Sequence, residues 1–330
     1  MKKIAIIGAG FSGLTLAQLL SKNHHVTVFE KSYAPGGRLA TRLTTPYHFD
    51  HGAQFFTAKT DEFKKFLIPL IKSNVITPWN AVFAELTPNQ LIQHKRWDNH
   101  FPHYVGSISM KKIGYFISQH IKVCFNTTIT SIQPSEKLKW CLHDNQQHLG
   151  HFDWVVTALP SYQASILLPN TTSYLEKLKT IKMSACFTLM LEMNQSKLNF
   201  DAALIKNADI SWISVNSSKP NRPQLNSMVI HSTNLYADNN IDKPIEMVSE
   251  HLLSETLKIT QLSKQNLNII DIHRWKYANI KKQPKAHLMI DTANQIASCG
   301  DWCIEGKVEG AFLSAINLHK HLRKNMEVNT

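Results

Sequence analysis

A glycine-rich turn between an apolar strand and a helix constrains the fold of this 330-residue chain more than any other feature. Residues 8–13 read Gly-Ala-Gly-Phe-Ser-Gly and follow an apolar run. Glu30 ends the next apolar segment, at about the 20-residue spacing of a βαβ dinucleotide-binding unit. In such a unit Gly8 permits a tight turn, Gly10 lets the backbone approach a pyrophosphate, and Gly13 allows close packing of helix on strand. The N-terminal segment therefore predicts a Rossmann-type domain.

The helix that follows this turn is expected to bind phosphate. Its N-terminus offers unpaired N–H groups and a partial positive charge. Glu30 can accept hydrogen bonds from a ribose 2′-hydroxyl, whereas it repels a 2′-phosphate. We predict that the following residues of this unit contact the dinucleotide: Gly8, Gly10, Phe11, Ser12, Gly13, Glu30 and Lys31.

The segment after Glu30 distinguishes FAD from NAD. Residues 30–38 resemble the ExxxxxGGR pattern of FAD enzymes related to monoamine oxidases, and end in Gly36, Gly37 and Arg38. The resemblance implies that Gly37 and Arg38 lie along the pyrophosphate and ribityl chain of FAD, where Arg38 supplies a counter-charge. Some of these enzymes attach FAD to a cysteine beside paired glycines, and the sequence has no Gly-Gly-Cys. We therefore expect FAD to be bound non-covalently.

A second FAD motif is recognisable near the C-terminus. Residues 299–302 and 306–311 resemble the motif in which an acidic residue hydrogen-bonds the ribityl chain and a helix N-terminus faces the N1/O2 edge of the flavin. The resemblance implies that the cofactor-binding residues of this motif are Gly300, Asp301, Val308, Glu309, Gly310 and Ala311. By position in the family, Ile129 is implied to contact the adenine, with Ala158 nearby.

Four further segments resemble renalases and their bacterial relatives. Residues 49–57 resemble the family's DxGAQFFT segment. Residues 216–220 resemble its SSKPGR stretch, although Asn221 stands where glycine is usual. Residues 229–232 and 273–278 match as well, so the resemblance spans nearly the whole chain.

The renalase resemblance implies a set of residues around the flavin ring and its substrate. The residues expected to pass beside the isoalloxazine ring are Ala53, Gln54 and Phe55. The candidate catalytic residues are Gln54, His231 and Trp275, and further candidates to line the substrate cavity are Trp212 and Tyr277. Ordinary core packing is the alternative interpretation of each aromatic residue.

The same resemblance implies an oxidase reaction. Flavin oxidases of this type need little acid–base machinery, because the substrate gives hydride to the flavin and oxygen then reoxidises it to give H2O2. The leading hypothesis is oxidation of isomeric dihydronicotinamide dinucleotides to NAD(P)+. The alternatives are an amine oxidase or desaturase, for which every FAD motif is the same, and a non-catalytic FAD-binding protein. The small-molecule partners expected are thus a nicotinamide dinucleotide or an amine, together with O2.

The order of elements predicts an α/β fold, in which a Rossmann-type FAD-binding domain of the glutathione reductase and amine oxidase kind carries an inserted α+β substrate domain. The FAD-binding domain is predicted over residues 1–75, 103–160 and 286–330. The substrate domain is predicted over residues 76–102 and 161–285. Residues 161–285 contain no glycine, which excludes a second glycine-rich dinucleotide loop there.

Composition and charge bear on whether the chain is globular and whether it binds nucleic acid or a membrane. Hydrophobic residues make up 43% of the chain and charged residues 18%, as in globular proteins. The formal net charge of +12 comes from scattered residues without a nucleic-acid-binding motif, and is consistent with a basic surface or with attraction of a phosphate-bearing substrate. No apolar stretch reaches the roughly 20 residues of a membrane span. We expect a cytoplasmic protein that binds neither nucleic acid nor membrane.

Cysteine and histidine usage predicts no metal site. The five cysteines are Cys124, Cys141, Cys186, Cys299 and Cys303, an odd number without a CxxC pair, which argues against disulfides and zinc. The 17 histidines are dispersed and lack HxxxH or HExxH spacing, so we expect them to be solvated or structural.

Overall fold

The computed structural model describes residues 1–194, 198–223, 225–281, 283 and 285–327. The strands are β1 (Lys3–Ile7), β2 (His25–Phe29), β3 (Arg42–Thr44), β4 (Tyr47–Phe49), β5 (Ile76–Pro78), β6 (Val82–Thr87), β7 (Gln90–Arg96), β8 (Tyr104–Gly106), β9 (Lys122–Cys124), β10 (Ser131–Pro134), β11 (Trp140–His143), β12 (His148–Phe152), β13 (Trp154–Thr157), β14 (Ser184–Met193), β15 (Ala202–Ile205), β16 (Ile210–Val215), β17 (Ser227–Ser232), β18 (Leu267–Asn279), β19 (Met289–Asp291) and β20 (Ile296–Ser298). The α-helices are α1 (Phe11–Leu20), α2 (Asp61–Lys72), α3 (Lys111–Ser118), α4 (Ser161–Leu167), α5 (Leu175–Lys179), α6 (Asn234–Asn240), α7 (Ile245–Thr260) and α8 (Val308–Glu327).

The chain divides into two compact units. The first unit consists of Met1–Arg38, Gly114–Met183 and Ile280–Thr330, and the second of Leu39–Ile113 and Ser184–Asn279. Compared with the predicted domains, residues 39–75 and 103–113 belong to the second unit, and residues 161–183 and 280–285 to the first. Residues 161–183 belong to the first unit because α4 and α5 pack into its apolar core through residues such as Ala164 and Leu178.

The first unit is built on a six-stranded sheet in the order β19-β20-β13-β1-β2-β9. Every neighbouring pair is parallel except β19 with β20 at the edge. Apart from the exposed Lys3, the central strands β1 and β13 are buried and mostly apolar, as expected for parallel strands covered on both faces. A separate antiparallel sheet, β10-β11-β12, completes the unit. This arrangement confirms the predicted α/β architecture.

The second unit is built on a seven-stranded sheet in the order β18-β14-β17-β16-β15-β6-β7. Its neighbours are antiparallel apart from β15 with β6. The core on this sheet includes Phe187, Leu189 and Ile230, each fully buried. Helix α2 begins directly after Thr60, whose side chain caps it by accepting from the amide of Phe63.

Among the described residues, no helix combines the length and the apolar character that a bilayer crossing requires.

Candidate functional site

The carboxyl ends of four parallel strands in the first unit carry the residues that the sequence motifs single out. Ile7 ends β1 and pairs with Phe29 of β2 on one side and Thr157 of β13 on the other. Thr157 in turn pairs with Ser298 of β20. The glycine turn, Glu30, Ala158 and the Gly300 segment follow these strand ends directly. Ligands of open α/β sheets bind at this edge, so the fold brings the predicted cofactor-binding segments together.

The glycine turn opens α1, which begins at Phe11 rather than after Gly13 as the motif suggested. Gly10 is the N-cap residue, because its carbonyl accepts the first helical hydrogen bond from Leu14 at 2.9 Å. Among the described residues no side chain caps α1, and its first turn has no acidic residue. The positive end of this helix therefore offers its backbone N–H groups to an anion.

The glycines of the turn differ in the space that is available for a side chain. A Cβ on Gly13 would lie 2.2 Å from the carbonyl oxygen of Gly8, so only glycine allows helix and turn to pack this closely. A Cβ on Gly10 would meet no heavy atom within 4 Å. Gly10 therefore borders free space at the helix N-terminus, where a phosphate can approach the backbone.

Glu30 holds the glycine turn in place. Its Oε2 accepts a hydrogen bond from the amide of Ala9 at 2.7 Å. Its Oε1 accepts from the amide of Ser32 at 2.9 Å and from the Ser32 hydroxyl at 2.6 Å. The side chain is buried, whereas the neighbouring Lys31 is exposed. A carboxylate has about four lone-pair sites, so Glu30 retains capacity to accept a bond from a ligand hydroxyl.

Arg38 and Asp301 form a bidentate ion pair within the first unit. Arg38 Nη1 lies 2.8 Å from Asp301 Oδ2, and Nη2 lies 2.5 Å from Oδ1. The Asp301 side chain is 6% exposed and that of Arg38 33%, so the pair is largely shielded from water. The sequence motifs gave each residue a separate contact with the cofactor, whereas the structure pairs them with each other.

The segment around Gly300 is fixed by Trp302 and by α8. A Cβ on Gly300 would lie 2.3 Å from the indole nitrogen of Trp302, which itself donates to the carbonyl of Leu159 at 2.9 Å. The amide of Gly300 donates to the Ser314 hydroxyl at 3.1 Å. These contacts set the loop that presents Asp301 against the N-terminal half of α8.

Further predicted residues of the first unit lie in three places. Val308, Glu309, Gly310 and Ala311 form the first turn of α8, in which Glu309 is a buried acidic residue. Ala158 lies half-buried at the end of β13 and donates its amide to the carbonyl of Ile7 at 2.8 Å. The side chain of Ile129 is in the apolar core, so only its backbone is available to a ligand.

In the second unit, Gln54 is the centre of a polar cluster. Its Oε1 accepts from the Ser214 hydroxyl at 2.8 Å and from the Lys219 ammonium at 3.3 Å. Its Nε2 donates to the backbone carbonyls of Asp50 and Gly52 and lies 3.2 Å from Nε2 of His231. The structure thus brings together two of the three predicted catalytic residues, Gln54 and His231.

A buried charge triad adjoins this cluster. Asp50 contacts Lys219 at 3.2 Å and pairs with Arg222, and all three side chains are fully buried. Although burial alone raises the pKa of Asp50, the charges of Lys219 and Arg222 hold that pKa below its usual range. Burial lowers the pKa of Lys219 to about 8, against the opposing effect of Asp50. The triad carries two cations for one carboxylate, a local excess of positive charge.

His231 is neutral at physiological pH. Burial, followed by the charge of Lys219, lowers its pKa to about 4. Burial and Lys219 therefore leave His231 with an uncharged ring, in which one nitrogen can donate a hydrogen bond and the other can accept one.

The buried triad was not predicted from the sequence. Charged side chains are expected at the surface, so nothing in their local pattern indicates burial. The available signal was that Asp50 lies in the 49–57 segment and Lys219 in the 216–220 segment, the two stretches with a shared resemblance, while Arg222 follows two residues after the second.

Trp275, the third predicted catalytic residue, is held by His51. Its indole nitrogen donates to the His51 carbonyl at 2.9 Å, and its ring stacks on the His51 ring at 5.3 Å. The Thr188 hydroxyl donates to the same carbonyl at 3.0 Å. Trp275 therefore belongs to a rigid pair with His51 rather than to the hydrogen bonds around Gln54.

Phe55 belongs to an aromatic group in the second unit. Its ring lies 5.0 Å from that of Trp97 and 5.4 Å from that of Trp212. Trp97 and His103 stack in parallel planes with centroids 3.8 Å apart. Among the described residues, the buried indole nitrogen of Trp212 has no hydrogen-bond partner. The aromatic rings around Phe55 suit a flat ligand.

Comparison with known proteins supports the fold. Residues 6–68 match the family model of an NAD(P)-binding Rossmann-like domain. A 1-hydroxycarotenoid 3,4-desaturase of Flavobacterium sp. (strain P99-3) is 45% identical over 58 residues, which are 17% of this chain and 12% of the desaturase. The match to that relative is thus confined to a short part of its length.

Two solved structures extend the likeness to the whole chain. A protein assigned as a protoporphyrinogen oxidase of Exiguobacterium sp. 255-15 superimposes with a TM-score of 0.76 at 11% identity, over 99% of both chains. Wild-type putrescine oxidase superimposes with a TM-score of 0.69 at 10% identity, over 98% of this chain and 99% of that one. The predicted fold, a Rossmann-type domain of the amine oxidase kind carrying a second α+β unit, is confirmed.

Proposed function

We propose that the first unit binds FAD non-covalently and that the chain is an FAD-dependent oxidoreductase. The observation that carries this proposal is the free space beside Gly10 at the uncapped N-terminus of α1. An open glycine at a positive helix end, flanked by Glu30 and by the Arg38–Asp301 pair, fits a dinucleotide pyrophosphate.

The residues present fit FAD along its length. The amides of α1 would hold the pyrophosphate, Glu30 a ribose hydroxyl, and Asp301 with Arg38 the ribityl chain. Backbone groups near Ile129 and Ala158 would adjoin the adenine. The first turn of α8 would direct its partial positive charge toward the pyrimidine edge of the flavin, which favours the reduced, anionic form.

Bound FAD would accept hydride from a donor and transfer the electrons to a second acceptor. The chain's own contribution is to orient the donor and exclude water. Gln54 is rigid, because its amide is held by the partners described above, and His231 beside it is uncharged. These residues, with Trp275, would position a donor without exchanging protons with it.

A dihydronicotinamide donor is our preferred substrate class, with O2 as acceptor and H2O2 as product. The excess positive charge of Asp50, Lys219 and Arg222 disfavours a cationic amine beside Gln54, while a polyphosphate dinucleotide is attracted by the net charge of +12. The aromatic group around Phe55 suits a flat carboxamide ring. Isomeric dihydronicotinamides, reduced at the wrong ring carbon, are the members of this class implied by the renalase resemblance.

An amine oxidase or desaturase is the alternative, since putrescine oxidase shares the fold and a carotenoid desaturase is similar in sequence over 58 residues. Anaerobic mixing with a donor panel separates the two. We expect isomeric dihydronicotinamides to bleach the flavin absorbance within seconds, and diamines or polyenes to leave it unchanged. Bleaching by amines alone would overturn the substrate class while leaving the FAD proposal intact.

The FAD proposal itself has an independent test. Acid precipitation of the purified protein is expected to release FAD into the supernatant, identifiable by chromatography. A flavin retained in the precipitate would contradict non-covalent binding. A flavin that stays oxidised with every donor would instead indicate a non-catalytic FAD-binding protein.

A further inference from the structure

One cysteine and three histidines lie on a single face of the small antiparallel sheet in the first unit. Cys141 and His143 are on β11, and His148 and His151 are on β12. Cys141 pairs with His151 across the ladder, and His143 pairs with His148. Residues paired across an antiparallel ladder point to the same face, as do residues two apart on one strand. The hairpin therefore gathers the four side chains, with an irregularity between Leu142 and His143 that adjusts the spacing.

The possible ligand atoms are close to one another. Those of Cys141, His148 and His151 all lie within 4.8 Å of one another. The Cys141 sulfur is 3.1 Å from Nε2 of His143, and the His143 and His148 rings are 5.5 Å apart. Tetrahedral zinc bonds of about 2.0–2.3 Å place ligand atoms about 3.3–3.8 Å apart, so rotations of exposed histidine rings can close the remaining distance.

The surroundings of these side chains suit a bound cation. Cys141 is buried at the base of the group and His148 is exposed, which leaves a route from solvent. Nδ1 of His151 lies 2.6 Å from the Ser135 hydroxyl, a contact that orients the ring and leaves Nε2 as its free nitrogen. Ligand histidines in metal sites are held by an outer partner in this way.

We propose that Cys141, His143, His148 and His151 form a binding site for a divalent transition-metal ion of the zinc type. Thiolate and imidazole together are the ligand set that zinc prefers, and four ligands complete a tetrahedral, structural site. On binding, the Cys141 thiol transfers its proton to solvent and the sulfur bonds the metal. The site lies in the β10-β11-β12 sheet and is independent of the proposed flavin chemistry. This proposal differs from the expectation, drawn from the sequence, that the chain has no metal site.

The spacing Cys-x-His-x4-His-x2-His explains why this group escaped the sequence motifs. The ligands come from two strands of one hairpin, and their proximity depends on its register and its irregularity. The register and the irregularity of a hairpin do not produce the fixed ligand spacings by which metal sites are recognised in a sequence.

Co2+ titration of the purified, metal-stripped holoprotein tests the proposal, because a thiolate bound to Co2+ gives a charge-transfer absorption. We expect this band to saturate at one equivalent and to be displaced by Zn2+. Cys141→Ser should abolish the band, and His148→Ala should weaken Co2+ affinity by about 10-fold or more. Zn2+ should also raise the Tm of the parent protein and leave that of His148→Ala unchanged.

Two matched variants serve as controls. Cys124→Ser removes a partly exposed thiol on β9, and His120→Ala removes an exposed histidine of the same unit. Both should titrate like the parent protein. The proposal is overturned if no thiolate band forms, if the band survives Cys141→Ser, or if His148→Ala binds Co2+ as tightly as His120→Ala does. Because His148 is exposed, its replacement leaves the fold intact and the comparison interpretable.

Discussion

Arg38 and Asp301 face each other in a two-point ion pair across 263 positions of sequence. The pair connects the segment after the glycine turn to the loop that precedes α8. Each residue follows a different strand of the parallel sheet, so their contact exists only once β1, β2, β13 and β20 have assembled in register. The pair is therefore a tertiary support of the proposed cofactor site.

Breaking this pair should destabilise the protein. Arg38→Ala leaves the buried Asp301 carboxylate without its bidentate donor, and we expect a loss of about 1–3 kcal/mol in unfolding free energy. Arg38→Lys should recover only part of it, because an ammonium cannot reproduce the planar two-point contact. Urea unfolding followed by tryptophan fluorescence measures the loss. Equal effects of Arg38→Ala in the parent and in Asp301→Ala backgrounds would show that the residues are not coupled.

Replacement by alanine should affect different properties at Gly10 and at Gly13, namely FAD affinity at the first and stability at the second. Gly10→Ala has space for its methyl group, so we expect unfolding free energy within about 1 kcal/mol of the parent and FAD affinity reduced at least about 10-fold. Gly13→Ala forces a methyl group against the Gly8 carbonyl and should lose more than about 2 kcal/mol. Thermal melts of the two variants, with flavin content after dialysis, check both. Full flavin retention by a folded Gly10→Ala would contradict the proposed pyrophosphate position.

Substitutions in the buried triad should destabilise the protein to different extents, with Asp50→Asn costing more unfolding free energy than Lys219→Met. Asp50→Asn leaves Lys219 and Arg222 as adjacent buried cations without a counter-charge and should lose about 3–5 kcal/mol. Lys219→Met removes the surplus cation while Arg222 still pairs with Asp50, so its loss should be less than half as large. Denaturation midpoints of the two variants give the comparison. A greater loss for Lys219→Met than for Asp50→Asn would show that the triad has no surplus positive charge.

The sequence predicted local features well and long-range pairings poorly. The β1 strand and the glycine turn before α1 follow from local pattern, and the convergence of the motifs at strand ends follows from parallel topology. The Arg38–Asp301 pair and the buried Lys219 do not, because side-chain partners depend on assembled packing rather than on neighbours in the chain.

Asn221 shows a departure from a family pattern that structure explains. It stands where glycine is usual and adopts a φ of 58° in the left-handed region. Asparagine tolerates this region better than other side chains do, and its Nδ2 donates to the Ser107 hydroxyl at 2.8 Å. The left-handed conformation at position 221 is thus open to asparagine as well as to glycine.

His231 should make stability depend on pH. Its pKa is about 4 in the folded protein, lowered by burial and by Lys219, against 6.5 in the unfolded chain. Between pH 6.5 and pH 4 the unfolded chain binds a proton that the folded protein does not, so stability falls as pH falls through this window. Above pH 6.5 the contribution is fully present. At most one proton is involved, which limits the slope to about 1.4 kcal/mol per pH unit.

The pKa of other buried histidines, such as His51, is also lowered, so they contribute to the same pH dependence of stability. The contribution of His231 is therefore obtained as the difference between the parent and a His231 variant. Unfolding free energies of the parent and of His231→Gln, measured from pH 4 to pH 8, should diverge below pH 6.5, with the parent losing stability more steeply. His120→Gln, which replaces an exposed histidine, should track the parent throughout. Parallel curves for His231→Gln and the parent would mean that His231 binds its proton equally in both states, and that Lys219 and burial do not hold it neutral beside Gln54.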